Sequence, residues 1–256
     1  MIFVILLFIS AVIYFLLIFP TQWLKVERVR CSCGIGARVL QISDLHVEKL
    51  RISPKRLTCL IKKEAPDYIF LTGDFTQKSR HLSKVQRYAH AIVKPGIPVF
   101  AVLGNHDHRL NLTDFNQLIR ILESAGIKVL INQSTFVDNF QIVGIDDFGS
   151  KKSRVDNAFA NIDPSKPILV LTHNPNLVFY IKHKYTYLMA GHFHGMQFNV
   201  PFLFQFINKG KLAAEGIYKG MHSGTYGKFY ISKGIGQSGI NARFLIRSEV
   251  TLHELY

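Results

Sequence analysis

Five times along this chain an apolar run of strand length stops at a polar cluster able to bind a metal or move a proton. Ala37–Ile42 delivers Ser43-Asp44-Leu45-His46, Tyr68–Thr72 delivers Gly73-Asp74, and residues 97–103 deliver Gly104-Asn105-His106-Asp107. Residues 167–172 lead to His173, and residues 185–190 lead to Gly191-His192-Phe193-His194-Gly195. Short runs that are apolar throughout, rather than alternating, fit strands covered on both faces, as in a mainly parallel sheet flanked by helices. In such a sheet, binding residues collect in the crevice outside the strand ends. The pattern therefore restricts the chain to an α/β domain with its chemistry gathered at one edge.

The intervening stretches support that alternation. Ser53 is a suitable N-cap, Pro54 takes the first helical position, and Leu57, Leu60 and Ile61 share one face. A second helix is expected over Leu82–Val93. A third is expected from a cap at Thr113, with Phe115, Leu118, Ile119 and Leu122 on one face and Gly126 at its end. Short strands near 128–131, 140–145, 228–232 and 249–252 complete the sheets. No linker, low-complexity tract or internal repeat divides residues 37–256, which are read as one domain with a well-buried core.

Residues 2–19 carry no charge for 18 positions, and Pro20 closes the run. That length exceeds the apolar core of a typical secretory signal and lies at the short end for a membrane-spanning helix. No Lys or Arg precedes it, no small-residue cleavage pattern follows, and Lys25, Arg28, Arg30 and Arg38 come just after. These features favour an uncleaved transmembrane anchor over residues 1–20, then a juxtamembrane segment 21–36 with Trp23 at the interface. The positive-inside rule places the amino terminus outside and the domain on the cytoplasmic side of an inner or plasma membrane. Three cysteines, Cys31, Cys33 and Cys59, cannot all pair, and the C-x-C lacks a second pair for structural zinc. Free thiols suit a reducing compartment, where the acceptors Asn111-Leu112-Thr113 and Asn132-Gln133-Ser134 would carry no glycan.

Thirty-one Lys and Arg against 17 Asp and Glu give a net charge of +14, which favours anionic partners: nucleic acid, phosphorylated metabolites or acidic lipid. The gathered polar residues Asp44, His46, Asp74, Asn105, His173, His192 and His194 are all oxygen or imidazole ligands, with no thiolate. Such a set suits two divalent ions, and manganese, iron and zinc are all compatible with it. His81, His90, His108, His183, His222 and His253 lack that context and read as ordinary surface or core histidines.

Asp44-x-His46, Gly73-Asp74, Gly104-Asn105-His106-Asp107, His173 and Gly191-His192-Phe193-His194 resemble, complete and in order, the five blocks of the calcineurin-like metallophosphoesterase family. The resemblance runs from about Ala37 to the carboxyl terminus. The stretch Tyr230-Ile231-Ser232-Lys233-Gly234-Ile235-Gly236 is similar to the membrane-associated branch, which often has glycine where this chain has Met196. It implies a sandwich of two mixed β-sheets flanked by helices. It also implies a binuclear centre with Asp44, His46 and His194 on one ion, Asn105, His173 and His192 on the other, and Asp74 bridging both. Manganese leads among the candidate metals, and a hydroxide shared by the two ions would attack phosphorus in line. His106 is implied as a catalytic non-ligand that donates to the phosphate or protonates the leaving oxygen, with Asp107 orienting its imidazolium.

Substrate expectations rest on two further features. The apolar tract 201–207, followed by Lys209 and Lys211, reads either as a buried segment or as a flap that meets the membrane or an acyl chain. Anchor and flap together favour a lipid-linked substrate. The layout is similar to that of membrane-bound family members that hydrolyse the pyrophosphate of UDP-2,3-diacylglucosamine in lipid A synthesis. The alternatives are a general phosphodiesterase, a nuclease, and a catalytically silent membrane-surface scaffold. The absence of an aromatic-basic single-strand module disfavours nucleic acid, and the complete ligand set disfavours the scaffold.

Overall fold

Apolar patterning closes two sheets against one another. In the computed structural model, which describes residues 1–200, 207 and 209–256, helix α1 (Ile2–Ile13) continues through a π-helical turn at Tyr14–Ile18 into α2 (Phe19–Gln22). The first half then comprises β1 (Lys25–Cys31), β2 (Ala37–Ile42), α3 (Pro54–Glu64), β3 (Tyr68–Thr72), α4 (Leu82–Val93), β4 (Val99–Val102), α5 (Leu112–Ser124) and β5 (Ile127–Val129). The second comprises β6 (Gln133–Val137), β7 (Phe140–Gly144), α6 (Val155–Phe159), β8 (Ile168–Leu171), β9 (Tyr187–Ala190), α7 (Lys211–Ala214), β10 (Gly220–Ser223), β11 (Lys228–Ile231) and β12 (Glu249–Leu255).

One sheet has the order β1-β12-β2-β3-β4-β5, the other β10-β11-β9-β8-β7-β6. Both are mixed. β2 to β5 run parallel with β12 antiparallel beside β2, and β7, β8, β9 and β11 run parallel with antiparallel β6 and β10 at the edges. Val39, Phe70, Val102, Tyr187, Met189 and Tyr230 fill the space between the sheets. Leu57 and Ile61 of α3, Val85 and Ile92 of α4, and Leu118 and Leu122 of α5 seal the outer face of the first sheet. Fully burying each such side chain contributes roughly 1.5–3 kcal/mol, so the strand ends that carry the polar clusters rest on a rigid base.

Ser53 caps α3 by accepting from the Arg56 amide at 3.2 Å. The cap of α5 differs from the expectation: Asn111, not Thr113, accepts the Asp114 amide, at 2.9 Å. The longer reach of the asparagine side chain starts the helix earlier, at Leu112. The stretch expected to be juxtamembrane, 21–36, contains β1, which pairs in parallel with β12. Its Lys, Glu and Arg residues mask a strand signal, and an edge position tolerates them. The helix Ile2–Gln22 is long and apolar enough to cross a membrane, and its apolar stretch is not buried in the domain. Of the apolar tract 201–207, residues 201–206 lie outside the described residues, as does residue 208.

Candidate metal centre

The five strand ends deliver their clusters to one place. Asp44 and His46 follow β2, Asp74 follows β3, Asn105 and His106 follow β4, His173 follows β8, and His192 and His194 follow β9. The centre therefore straddles both sheets. Asp44, His46, Asp74, His192 and His194 have positive φ values of 55°, 39°, 59°, 74° and 53°. Left-handed backbone at a non-glycine residue costs roughly 1–3 kcal/mol and persists only where its surroundings over-determine it. Here the loops hold one another: His46 N–H donates to Asp74 O at 2.8 Å, Gly191 N–H to His173 O at 3.0 Å, and Gly236 N–H to Asp44 O at 2.8 Å. Two glycines permit the closeness, since a Cβ on Gly104 would lie 2.2 Å from Asp74 Oδ1 and one on Gly191 would lie 2.4 Å from Asp44 Oδ2.

His173 Nδ1 donates to the Thr72 carbonyl at 2.8 Å, which fixes the ring and turns Nε2 toward three acceptors. These are Asp74 Oδ2, Asn105 Oδ1 and His192 Nδ1, each at 3.2 Å. On the opposite side His46 Nε2 lies 3.4 Å from the same Asp74 Oδ2 and 3.3 Å from His194 Nε2. His194 Nε2 is in turn 3.3 Å from Asp44 Oδ1. Ligand atoms thus cluster within 4.8 Å as Asp44–His46–His194 and as Asp74–His173–His192, with His46, Asp74 and His106 forming a third such grouping.

Lone pairs that converge in a buried site are stable only around positive charge. Burial opposes a charge on His173, yet Asp74, with Asp44 and Asp147, raises its pKa to about 10. Burial would raise Asp74 too, but His173 holds it well below the usual carboxylate range. Burial pushes Asp44 up to about 6 and drives His192 and His194 well below the usual imidazole range. Imidazoles and carboxylates around a common centre make a donor set that fits borderline divalent cations, and a cation bound there would take the place of the proton on His173.

His106 stands beside this set, its ring centre 4.7 Å from that of His46. Its backbone N–H donates to Asp74 Oδ1 at 2.8 Å, and its Nδ1 lies 2.9 Å from Gln77 Oε1. Arg109 Nη1 donates to the same Gln77 oxygen at 2.9 Å, and Ser238 Oγ lies 3.4 Å from His106 Nε2. Burial is the main cause that lowers the His106 pKa to about 4. Asp107 does not do what was expected of it. Instead of orienting the His106 ring, its carboxylate accepts from the backbone N–H groups of Asp74 (2.9 Å), Phe75 (2.8 Å), Thr76 (3.0 Å) and Gly104 (2.9 Å). The left-handed turn at Asp74 points these amides inward, and the carboxylate ties the β3 and β4 loops together. Burial pushes Asp107 up to about 7.

Sequence reasoning missed Arg243. It is fully buried, and its guanidinium donates to the carbonyls of Lys233, Gly234 and Gly236 at 2.9, 2.9 and 2.6 Å. Those residues form the loop that packs on Asp44: a Cβ on Gly234 would lie 2.8 Å from Asp44 Cβ. Only an arginine, with its five donors, serves so many carbonyls at once, but no local motif marks it. His253 is the satisfied core histidine it was expected to be, between Tyr187 Oη and Gln41 Oε1, each at 3.1 Å. His108 pairs with Asp146 at 2.7 Å. A cleft of about 880 Å³ opens beside His192, bounded by Phe148, Asn174, Tyr180, Lys209 and Lys211.

The sequence model described as calcineurin-like phosphoesterase matches residues 37–196. An uncharacterized metallophosphoesterase of Bacillus subtilis, YkoQ, is 38% identical over 87% of this chain and 86% of its own length. The phosphodiesterase YaeI of Escherichia coli is 30% identical over 85% of this chain and 82% of its own. The UDP-2,3-diacylglucosamine pyrophosphatase LpxG of Chlamydia muridarum is 28% identical over 65% of this chain and 66% of its own.

Proposed function

The chain belongs to the calcineurin-like phosphoesterase family and is a metal-dependent phosphoester hydrolase, and from that premise we propose that it cleaves a phosphoanhydride or phosphodiester in a lipid-linked substrate at a two-cation centre. One observation carries the two-cation reading: a single oxygen, Asp74 Oδ2, faces His46 Nε2 at 3.4 Å and His173 Nε2 at 3.2 Å from opposite sides. In this reading Asp44, His46 and His194 would hold one divalent ion and Asn105, His173 and His192 the other, with Asp74 available to both and manganese the first metal to test. Two such ions supply Lewis acidity and a water whose pKa is brought toward neutrality.

The protein's own groups do the rest. Thr72 and Asp107 fix the ring of His173 and the loop of Asp74, so the donors are positioned before substrate arrives. Gln77, backed by Arg109, accepts the Nδ1 proton of His106 and leaves Nε2 to face the phosphoryl group. Burial keeps this imidazole neutral at rest, and an anionic phosphate beside it raises its proton affinity. As substrate binds, His106 would take up a proton from solvent at Nε2 and pass it to the leaving oxygen, returning to the neutral imidazole. Lys209 and Lys211, which line the cleft beside His192, offer positive charge to the remainder of an anionic substrate.

The apolar helix Ile2–Gln22 supports a membrane-anchored enzyme, with the cytoplasmic side favoured by the cationic residues after the helix, and the similarity to LpxG supports a lipid-linked substrate. UDP-2,3-diacylglucosamine is the candidate to test first. The similarity to YaeI favours a second reading, a general phosphodiesterase of the same centre. An activity screen of manganese-loaded protein on UDP-2,3-diacylglucosamine, simple phosphodiesters and nucleic acid separates them. Preferential release of UMP from the first substrate supports the lipid-linked reading, and turnover of simple phosphodiesters alone removes it.

A further inference from the structure

The apolar helix is not tethered to the domain by a free linker. Arg243 N–H donates to the Leu17 carbonyl at 2.9 Å, and Ser248 N–H donates to the Pro20 carbonyl at 3.0 Å. Arg51 reaches Thr21 Oγ1 at 3.0 Å and Asn241 O at 2.8 Å, while Arg247 stacks on Trp23, 3.5 Å from the ring centre. Leu17 lies five residues inside the helix end at Gln22, about 7–8 Å along the axis. A loop hydrogen-bonded to Leu17 is therefore carried to that depth wherever the helix crosses a bilayer.

That loop suits such a position. Ile240 and Leu245 flank Arg243 and are 69% and 63% exposed. Leu245 also has a φ of 56°, a conformation that favours glycine or asparagine, so a water-facing loop would gain by replacing it. Between Ile240 and Leu245 the main-chain N–H groups of Ala242, Arg243 and Phe244 donate within the protein, which lowers the cost of apolar surroundings. Arg51, Arg56 and Arg247 surround the helix end, where guanidinium groups can reach lipid phosphates. Inward of Ile240, a pocket of about 240 Å³ extends past Ser238 and Met196 to His194.

We propose that residues 239–247 form a second membrane contact, with Ile240 and Leu245 immersed in the bilayer beside the anchor, so that the candidate centre is reached from the lipid head-group layer. This rests on the anchor reading. Full-length protein in phosphatidylcholine–phosphatidylglycerol vesicles tests both, because Trp23 is the only tryptophan of the chain. In a Trp23→Phe background, tryptophan is placed at Ile240→Trp, at Leu245→Trp, or, as a water-facing control, at Phe136→Trp, which is 55% exposed on the far sheet edge. Lipids brominated on their acyl chains should quench more than half of the emission at positions 240 and 245, and acrylamide should quench the control. Emission at both positions that responds only to acrylamide, while wild-type Trp23 is quenched by bromolipid, overturns the proposal and leaves the anchor standing. A chain released by alkaline washing, with Trp23 unquenched by bromolipid, overturns both.

Discussion

Replacing Asp107 tests whether this residue is a structural knot or a partner of the catalytic histidine. Its carboxylate accepts four backbone N–H groups in a fully buried position. Asp107→Ala leaves those four donors without an acceptor, and each unmet buried group costs roughly 1–3 kcal/mol. Entry of water into the vacated space and relaxation of the loops recover part of that, giving a net loss of about 3–5 kcal/mol. Asp107→Asn keeps one acceptor oxygen but turns an NH2 toward backbone donors, for a loss of about 2 kcal/mol. In a chain of this size those losses lower the melting temperature by roughly 6–20 °C for Ala and 4–8 °C for Asn. Circular dichroism melts at 222 nm in a fixed detergent read both. Because Asp107 holds the Asp74 loop, bound metal should fall in step with stability. Two variants that melt with the wild type, keep their metal and lose only turnover would refute the knot and restore the pairing with His106.

His106→Gln should retain its metal, because His106 is assigned to neither ion, while turnover falls roughly 10²–10⁴-fold; metal analysis and steady-state kinetics on one preparation check it, and a metal-free variant would make His106 a ligand. His253 carries a pH prediction away from the centre. Burial lowers its pKa to about 3, below the unfolded value of about 6.5, so its neutral form stabilises the fold above pH 6.5 and that stability is lost as pH falls. At pH 5 the loss is about 2 kcal/mol. The acid dependence of the melting temperature between pH 6.5 and 5 should therefore be shallower in His253→Gln than in wild type, whatever the variant's stability at neutral pH.

The parts of the fold legible in the sequence are those where local pattern and burial agree. β2, β3 and the helices at Ser53 and Leu82 stand where the apolar runs and the Ser53 cap put them, since the two strands are buried on both faces and the helices turn their apolar residues to the core outside the first sheet. β1 was hidden because an edge strand can carry Lys25, Glu27, Arg28 and Arg30, which read as a solvated segment. Convergence of the eight polar residues from Asp44 to His194 was legible because each ends a buried strand. The hydrogen-bond partners of Asp107 were not legible because adjacency to His106 in sequence says nothing about direction: the left-handed turn at Asp74 presents amides to the carboxylate, while Gln77, from another loop, takes the imidazole. Arg243 was invisible for a related reason, since its five-carbonyl site exists only after the loop 233–236 has folded over Asp44.

The central claim is that one carboxylate, Asp74, joins two cation sites that together carry the hydrolysis. Metal content per chain, measured by mass spectrometry on purified wild type and Asp74→Ala and paired with hydrolysis of bis(p-nitrophenyl) phosphate, tests it most directly. Two divalent ions per wild-type chain, with Asp74→Ala losing both metal and activity, is the predicted result. A wild-type chain that holds no stoichiometric metal and hydrolyses equally well in the presence of a chelator would contradict it.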